Sequence, residues 1–186
     1  MSKLRLYSLE KSDRLATPLD YEKLNATASA LSTFSDFKEF RPLVIEEGTK
    51  AVDALTFLER AHVESKIVIG LHSQCVGILS LDDLSEDKMI KRVSRGLERE
   101  EVLVGDMMTG RSNIWAFDYQ DISKANVLDL VEVMKQNGLS YSLVVDHRVH
   151  EIRGIISAKD IANRLHIPFE PNKPPTFMEI FEIIHV

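Results

Sequence analysis

Cysteine is nearly missing. Cys75 is the only one in 186 residues, so no intrachain disulfide can staple the fold. Long apolar runs are missing too, and a membrane-crossing helix needs about 18 or more such residues in a row. The first residues, Met1-Ser2-Lys3-Leu4-Arg5-Leu6, have no apolar core of a secretory signal. A basic surplus is absent: 23 Lys and Arg stand against 29 Asp and Glu, a net charge of −6. A general nucleic-acid binder would carry a basic stripe instead. These absences point to a cytoplasmic protein with neither nucleic acid nor membrane among its partners. What remains is ordinary for a globular chain, 44% hydrophobic and 28% charged, long enough for one mid-sized domain or two small ones.

Residues 1–36 are polar and irregular and are expected to form an arm. A short helix is expected from about Tyr21 to Leu31, with Leu24, Ala28 and Leu31 on one face. The arm is either a surface extension or a clasp for a second subunit. From residue 37 the pattern tightens. Pro42-Leu43-Val44-Ile45 reads as a strand with proline at its start. Thr49 is a candidate N-cap, and Ala51, Ala54, Leu55 and Leu58 form one helical face. Ile67-Val68-Ile69 and Val76 to Leu79 form a hairpin, after which Ser80 is expected to open a helix. Residues 85–102 are highly charged and read as a solvated helix end and connector, with Lys88, Lys91, Arg92 and Arg95 as a basic cluster.

The pattern then recurs. Ile114 to Phe117 is a strand. Val127, Leu130, Val131 and Met134 form the helical face, which Asn137-Gly138 ends, and Leu143 to Val145 and Ile152 to Ile156 make a second hairpin. Ser157 opens the last helix of the unit. Ala51, Asp53, Ala54, Leu55, Leu58 and Ile69 align with Val127, Asp129, Leu130, Val131, Met134 and Val145 at an offset of 76. Gly77, Ile78, Ser80 and Asp83 align with Gly154, Ile155, Ser157 and Asp160 at an offset of 77, one residue having entered the second hairpin turn. The expected fold is α/β (α+β): two βαββα repeats, 37–95 and 96–167, packed about a pseudo-twofold axis. Residues 168–186 form a proline-rich spacer and an apolar tail. Thr176-Phe177-Met178-Glu179 reads as a capping box, with Phe177, Ile180, Phe181 and Ile184 behind it at helical spacing, and a strand is the competing reading because Ile, Phe and Val are β-formers. The tail should cover its own core or a partner subunit.

The doubled unit, each copy ending in Gly-Ile-(Leu/Ile)-Ser-x-x-Asp (Gly77 to Asp83, Gly154 to Asp160), resembles a pair of CBS (cystathionine-β-synthase-type) domains, the Bateman module. The run Glu101 to Thr109 resembles the family's approach to its second repeat. The resemblance implies a regulatory module, not an enzyme, that holds an adenosine-containing ligand between its repeats: AMP, ADP, ATP, S-adenosylmethionine or NAD. It puts the hydroxyl of Ser80 or Ser157 near phosphate and the carboxylate of Asp83 or Asp160 on ribose. The base is expected at Ser112, Asn113 and Ile114, for the second copy. It also implies a homodimer, with a separate effector protein reading the bound state. The rival reading is an interaction module without a ligand, working through arm and tail.

Local physics supports a site at each copy, since a helix N-terminus offers free N–H groups and partial positive charge. The glycines Gly77 and Gly154 would permit close backbone approach. The same Ser-x-x-Asp pattern also serves as a plain helix cap. Asp82, Asp83, Glu86 and Asp87 crowd the first copy, whereas Arg148, Arg153, Lys159 and Arg164 lie near the second in sequence, so an anion should prefer the second. His72, Cys75, His147 and His150 fall in the hairpin turns without the convergence a metal needs, and no metal is expected. Trp115 is expected in the core or at an interface. No catalytic arrangement emerges, and no catalytic residue is assigned.

Overall fold

A computed structural model describes residues 25–61, 63–94, 96, 98–169 and 175–185. After a 3₁₀ turn at Ala30–Thr33 come β1 (Ser35–Asp36), β2 (Val44–Glu46), α1 (Ala51–Ala61), β3 (Ser65–Ile69), β4 (Cys75–Ser80) and α2 (Glu86–Val93). The connector holds a 3₁₀ turn at Arg99–Glu101 and α3 (Val104–Met107). Then follow β5 (Thr109–Gly110), a 3₁₀ turn at Arg111–Asn113, β6 (Ala116–Asp118), α4 (Tyr119–Ile122), α5 (Val127–Gln136), β7 (Tyr141–Asp146), β8 (Glu151–Ser157) and α6 (Ala158–Arg164). Helix α7 (Phe177–Ile184) closes the chain.

The repeat is visible strand by strand. One sheet has the order β2-β3-β4-β5 and the other β1-β8-β7-β6. In each, a parallel pair (β2 with β3, β6 with β7) is extended by an antiparallel hairpin. Val68 pairs with Gly77 and Val144 with Gly154, and both ladders slip at the next step, after Val68 and after Val144. Helices cover the outer faces. The expected helical face of α5 is fully buried, and Ala51, Ala54 and Leu58 of α1 match it. Between the sheets lies a smaller apolar cluster of Ile67, Ile78 and Leu143, joined by Ile69, Ile152 and Ile155. The chain is thus two βαββα units packed sheet to sheet.

The units exchange their outermost strands across the expected boundaries. β1 precedes the first unit in sequence but pairs with β8 of the second, and β5 follows the connector but pairs with β4 of the first. The glycines of the motif are where this happens. A Cβ on Gly77 would sit 2.5 Å from Met108 Sδ and 2.7 Å from the Thr109 carbonyl oxygen. A Cβ on Gly154 would strike the Ser35 carbonyl and the Phe34 ring. Close backbone approach is indeed what these glycines allow, and the approaching chain is the protein's own.

Residues 29–36 are therefore not a loose arm. Ala30 and Phe34 are buried in the second unit's core, Ala30 N donates to the Ala125 carbonyl, and the Arg164 guanidinium donates to the Ser32 carbonyl. The expected helix there begins in residues outside the described set. From Asn25 the chain forms turns, because the Asn25 and Ser29 side chains capture the backbone N–H of Thr27 and Leu31. Thr49 does not cap α1. Ala51 N donates to the Val102 carbonyl at 2.8 Å, so the connector serves that end. The charged stretch 85–102 is not all solvated: Met89 of α2 and Val102 are buried in the first unit's core, and Arg95 lies outside the described residues.

The tail forms the expected helix, with Thr176 and Glu179 in a reciprocal capping box. Phe177 and Ile180 are buried in the second unit's core, and Lys135 Nζ lies 3.5 Å from the Phe181 ring centroid. Pro171 and Pro174 of the spacer lie outside the described residues.

Candidate functional site

The two Ser-x-x-Asp copies take different local shapes. Ser157 caps α6, its Oγ accepting from Asp160 N at 3.1 Å. Ser80 does not start a helix. Residues 81–84 are turn, and α2 begins only after Ser85. At the offset of 77 the copies differ at Leu81 against Ala158 and at Asp82 against Lys159, and aspartate is the weaker helix former of the second pair. The first copy closes on itself instead. Asp83 Oδ2 accepts from Ser80 N at 2.9 Å and from Ser80 Oγ at 2.7 Å, while Ser80 Oγ accepts from Asp83 N at 3.2 Å. Lys88 reaches back from α2, its Nζ 2.7 Å from Asp82 Oδ2 and 3.1 Å from Asp83 Oδ1. These bonds hold the Lys88 ammonium above the usual lysine pKa, the bond to Asp82 contributing most.

A cavity of about 940 Å³ opens between the two units at this point. Ser80 and Asp83 line it from the first unit and Ser157 and Lys159 from the second. Asn113, Ile114 and Trp115 form another part of its wall, with Tyr141 at the start of β7. Asn113 and Ile114 share the cavity with both copies, with Ser80 and Asp83 of the first and Ser157 of the second. β5 runs antiparallel along β4, Thr109 opposite Ile78 and Gly110 opposite Gly77, and the loop that follows carries Asn113 and Ile114 into the cavity wall. Ser112 is exposed and does not line the cavity, and neither do Gly77, Gly154 or Asp160.

A second, smaller hollow of about 200 Å³ is lined by Phe37, Phe40, Pro42, Leu43, Lys66 and Ile155 among others. Neither Ser157 nor Asp160 reaches it. Burial depresses the Lys66 pKa, and its ammonium lies 3.6 Å from the Phe57 ring centroid.

The cations expected to favour an anion at the second copy are engaged elsewhere. Arg153 makes a two-point bond to Asp36, at 2.8 and 2.7 Å, which holds that carboxyl below its ordinary pKa. Arg148 bonds Asp146, and Arg164 bonds the Ser32 carbonyl. Lys159 alone of the four lines the cavity, 3.6 Å from Glu64 Oε1. Burial pushes the Glu64 carboxyl up, outweighing the pull of Lys159, and its buried Oε1 has no hydrogen-bond partner.

Glu64, Tyr141 and Trp115 are cavity residues that motif reading missed or misplaced. Trp115 is 68% exposed and not in the core. Its backbone carbonyl accepts from Leu143 N and Ser142 Oγ, which anchors the residue while leaving the indole open. Burial raises the Tyr141 pKa, and the Thr109 side chain offsets part of that. Among the described residues no three His, Cys, Asp or Glu side chains converge on a metal position. Among the same residues no helix is long and apolar enough to cross a membrane.

Comparison with known proteins agrees with this architecture. Residues 123–167 match the family model of the CBS domain. No curated protein matches the chain significantly. An uncharacterized conserved protein from Pyrococcus horikoshii superposes with a TM-score of 0.56 at 18% identity, over 79% of this chain and 98% of its own. CBSX2, solved in complex with AMP and known from Arabidopsis thaliana, gives 0.52 at 20% identity, over 73% and 94%. The CBS domain pair of MJ0100, in complex with 5′-methylthioadenosine and S-adenosyl-L-methionine, gives 0.51 at 17% identity, over 74% and 94%. At these identities the likeness is one of fold.

Proposed function

We propose that this chain, a tandem CBS-domain module, is a regulatory sensor that holds an adenosine-containing ligand in the cavity between its repeats. The observation that carries the reading is the convergence on one cavity of Ser80, Asp83 and Ser157 with the apolar wall of Ile114 and Trp115. Such a mix of apolar wall and a few polar groups suits a base joined to a sugar. The base lies against Ile114, Trp115 and Tyr141. The ribose hydroxyls donate to Asp83, which trades its bond from Ser80 Oγ for one from the ligand. The Ser80 and Ser157 hydroxyls serve the 5′ substituent. The AMP complex of CBSX2 and the adenosyl complexes of MJ0100 support this ligand class.

Because the cavity wall is drawn from both units, occupancy biases their relative pose, and a separate effector protein reads that pose. A homodimer is part of the reading. Phe57 on α1 and Ile90 and Val93 on α2 are exposed apolar residues on the outer helices, where a second copy would cover them. The ligand-free interaction reading is weaker. The described part of the arm and the tail, its supposed contact elements, bury Phe34, Phe177 and Ile180 in this chain's own core.

Thermal denaturation with AMP, ADP, ATP, S-adenosylmethionine and NAD tests the proposal. A true ligand at a hundredfold excess over its dissociation constant stabilises by about 2.7 kcal/mol. At least one compound should raise the melting temperature in a saturable way, and none doing so would leave the interaction reading in its place.

A further inference from the structure

The charges around the cavity differ from what a polyphosphate needs. Five carboxylates line it, from Glu59, Glu64, Asp82, Asp83 and Glu86, against two lysines, Lys88 and Lys159, and Glu86 is held by Arg99 at 2.8 Å, which still leaves a negative surplus. Both lysines already face carboxylates of the same wall. Lys88 sits on Asp82 and Asp83, and Lys159 lies 3.6 Å from Glu64. The arginines that motif spacing assigned to this neighbourhood are bonded to Asp36, Asp146 and the Ser32 carbonyl, outside the cavity. Glu64 adds a second, separate indication. Its buried Oε1 lacks a hydrogen-bond partner, so a cation or a neutral donor would be welcome there and an anion would not.

We infer that the cavity selects adenosine compounds whose 5′ substituent is uncharged or positively charged, and rejects adenosine polyphosphates. The inference rests on the cavity being the adenosine site proposed above. It names the class of occupant: an adenosyl group carrying a cationic or neutral tail, of which the sulfonium of S-adenosylmethionine is one form. Phosphates entering this wall would meet fixed negative charge and would have to draw Lys88 or Lys159 away from its carboxylate. A cationic tail instead offsets the surplus and can give Glu64 Oε1 the hydrogen bond it lacks beside Lys159.

Calorimetric titration of the full chain with S-adenosylmethionine, adenosine, AMP and ATP tests this, at about 0.05 M and again at about 0.5 M salt. S-adenosylmethionine and adenosine should bind, AMP less well, and ATP at least about tenfold more weakly than S-adenosylmethionine. The gap should narrow at high salt, as screening of like charge requires. The double variant Glu59→Gln, Asp82→Asn should raise ATP affinity more than it raises adenosine affinity. ATP or AMP binding as tightly as S-adenosylmethionine at low salt would overturn the inference while leaving the adenosine site standing. No binding by any of the four compounds would overturn the sensor reading itself.

Discussion

Lys159 Nζ lies 3.6 Å from Glu64 Oε1, joining the first turn of α6 in one repeat to the residue before β3 in the other. The pair spans the cavity and is unevenly satisfied. Burial raises the Glu64 pKa despite the lysine. A carboxyl with a raised folded-state pKa favours the folded form at low pH and loses that advantage as pH rises through its folded value. The stability difference between wild type and Glu64→Gln should therefore move against the wild type as pH rises above the ordinary value of 4.5. Urea denaturation of both proteins from pH 4 to 7 measures it. A difference independent of pH would mean that Glu64 titrates as an ordinary surface carboxyl.

The strand exchange predicts an asymmetry among glycines. Gly154 faces the Ser35 carbonyl and the Phe34 ring, whereas a Cβ on Gly110 meets nothing within 4 Å. Gly154→Ala should cost about 1–3 kcal/mol by overpacking. Gly110→Ala should stay within about 0.5 kcal/mol. Denaturant midpoints of the two variants decide it, and equal costs would argue against β1 lying on β8.

Asp36 and Arg153 clamp the same strand. Both side chains are largely buried, and the two-point bond lowers the Asp36 pKa. A depressed carboxyl stabilises the fold above its ordinary value and ceases to do so as pH falls through its folded value. Asp36→Asn should thus lower stability by about 1–3 kcal/mol at pH 7. The loss should shrink once the pH drops below 3.8. Chemical denaturation at pH 7 and pH 3 checks both halves.

The two motif aspartates should differ in binding. Asp83 lines the cavity and Asp160 does not. Asp83→Ala should weaken the best adenosine ligand by at least about tenfold, as loss of a charged hydrogen-bond partner does. Asp160→Ala should change its affinity by less than about threefold. Circular dichroism on each variant separates lost binding from lost folding. The reverse ranking would move the site to the second copy.

Much of this fold was legible because the repeat is written in periodicities that survive single substitutions. The buried face of α5, the two hairpins and the glycine register all follow from spacing alone. The exchange of β1 and β5 was not legible. Each strand is two residues long and pairs with a partner far along the chain, so neither leaves a periodic trace. Nor did spacing show that Asn113 and Ile114 would share one cavity with both motif serines, Ser80 and Ser157. The pairing of the arginines near Ser157 was not legible either. Sequence distance shows that Arg148 and Arg153 are nearby, but not that Asp146 and Asp36 hold them. Trp115 sits in an apolar run, Ile114 to Phe117, and only the three-dimensional wall shows its indole exposed.

A crystal structure of the chain grown with saturating S-adenosylmethionine tests the central claim most directly. Electron density is expected in the cavity between the repeats, with the base against Ile114 and Trp115 and the ribose hydroxyls on Asp83. An empty cavity, or a ligand bound instead in the hollow lined by Phe37, Phe40 and Lys66, would contradict it.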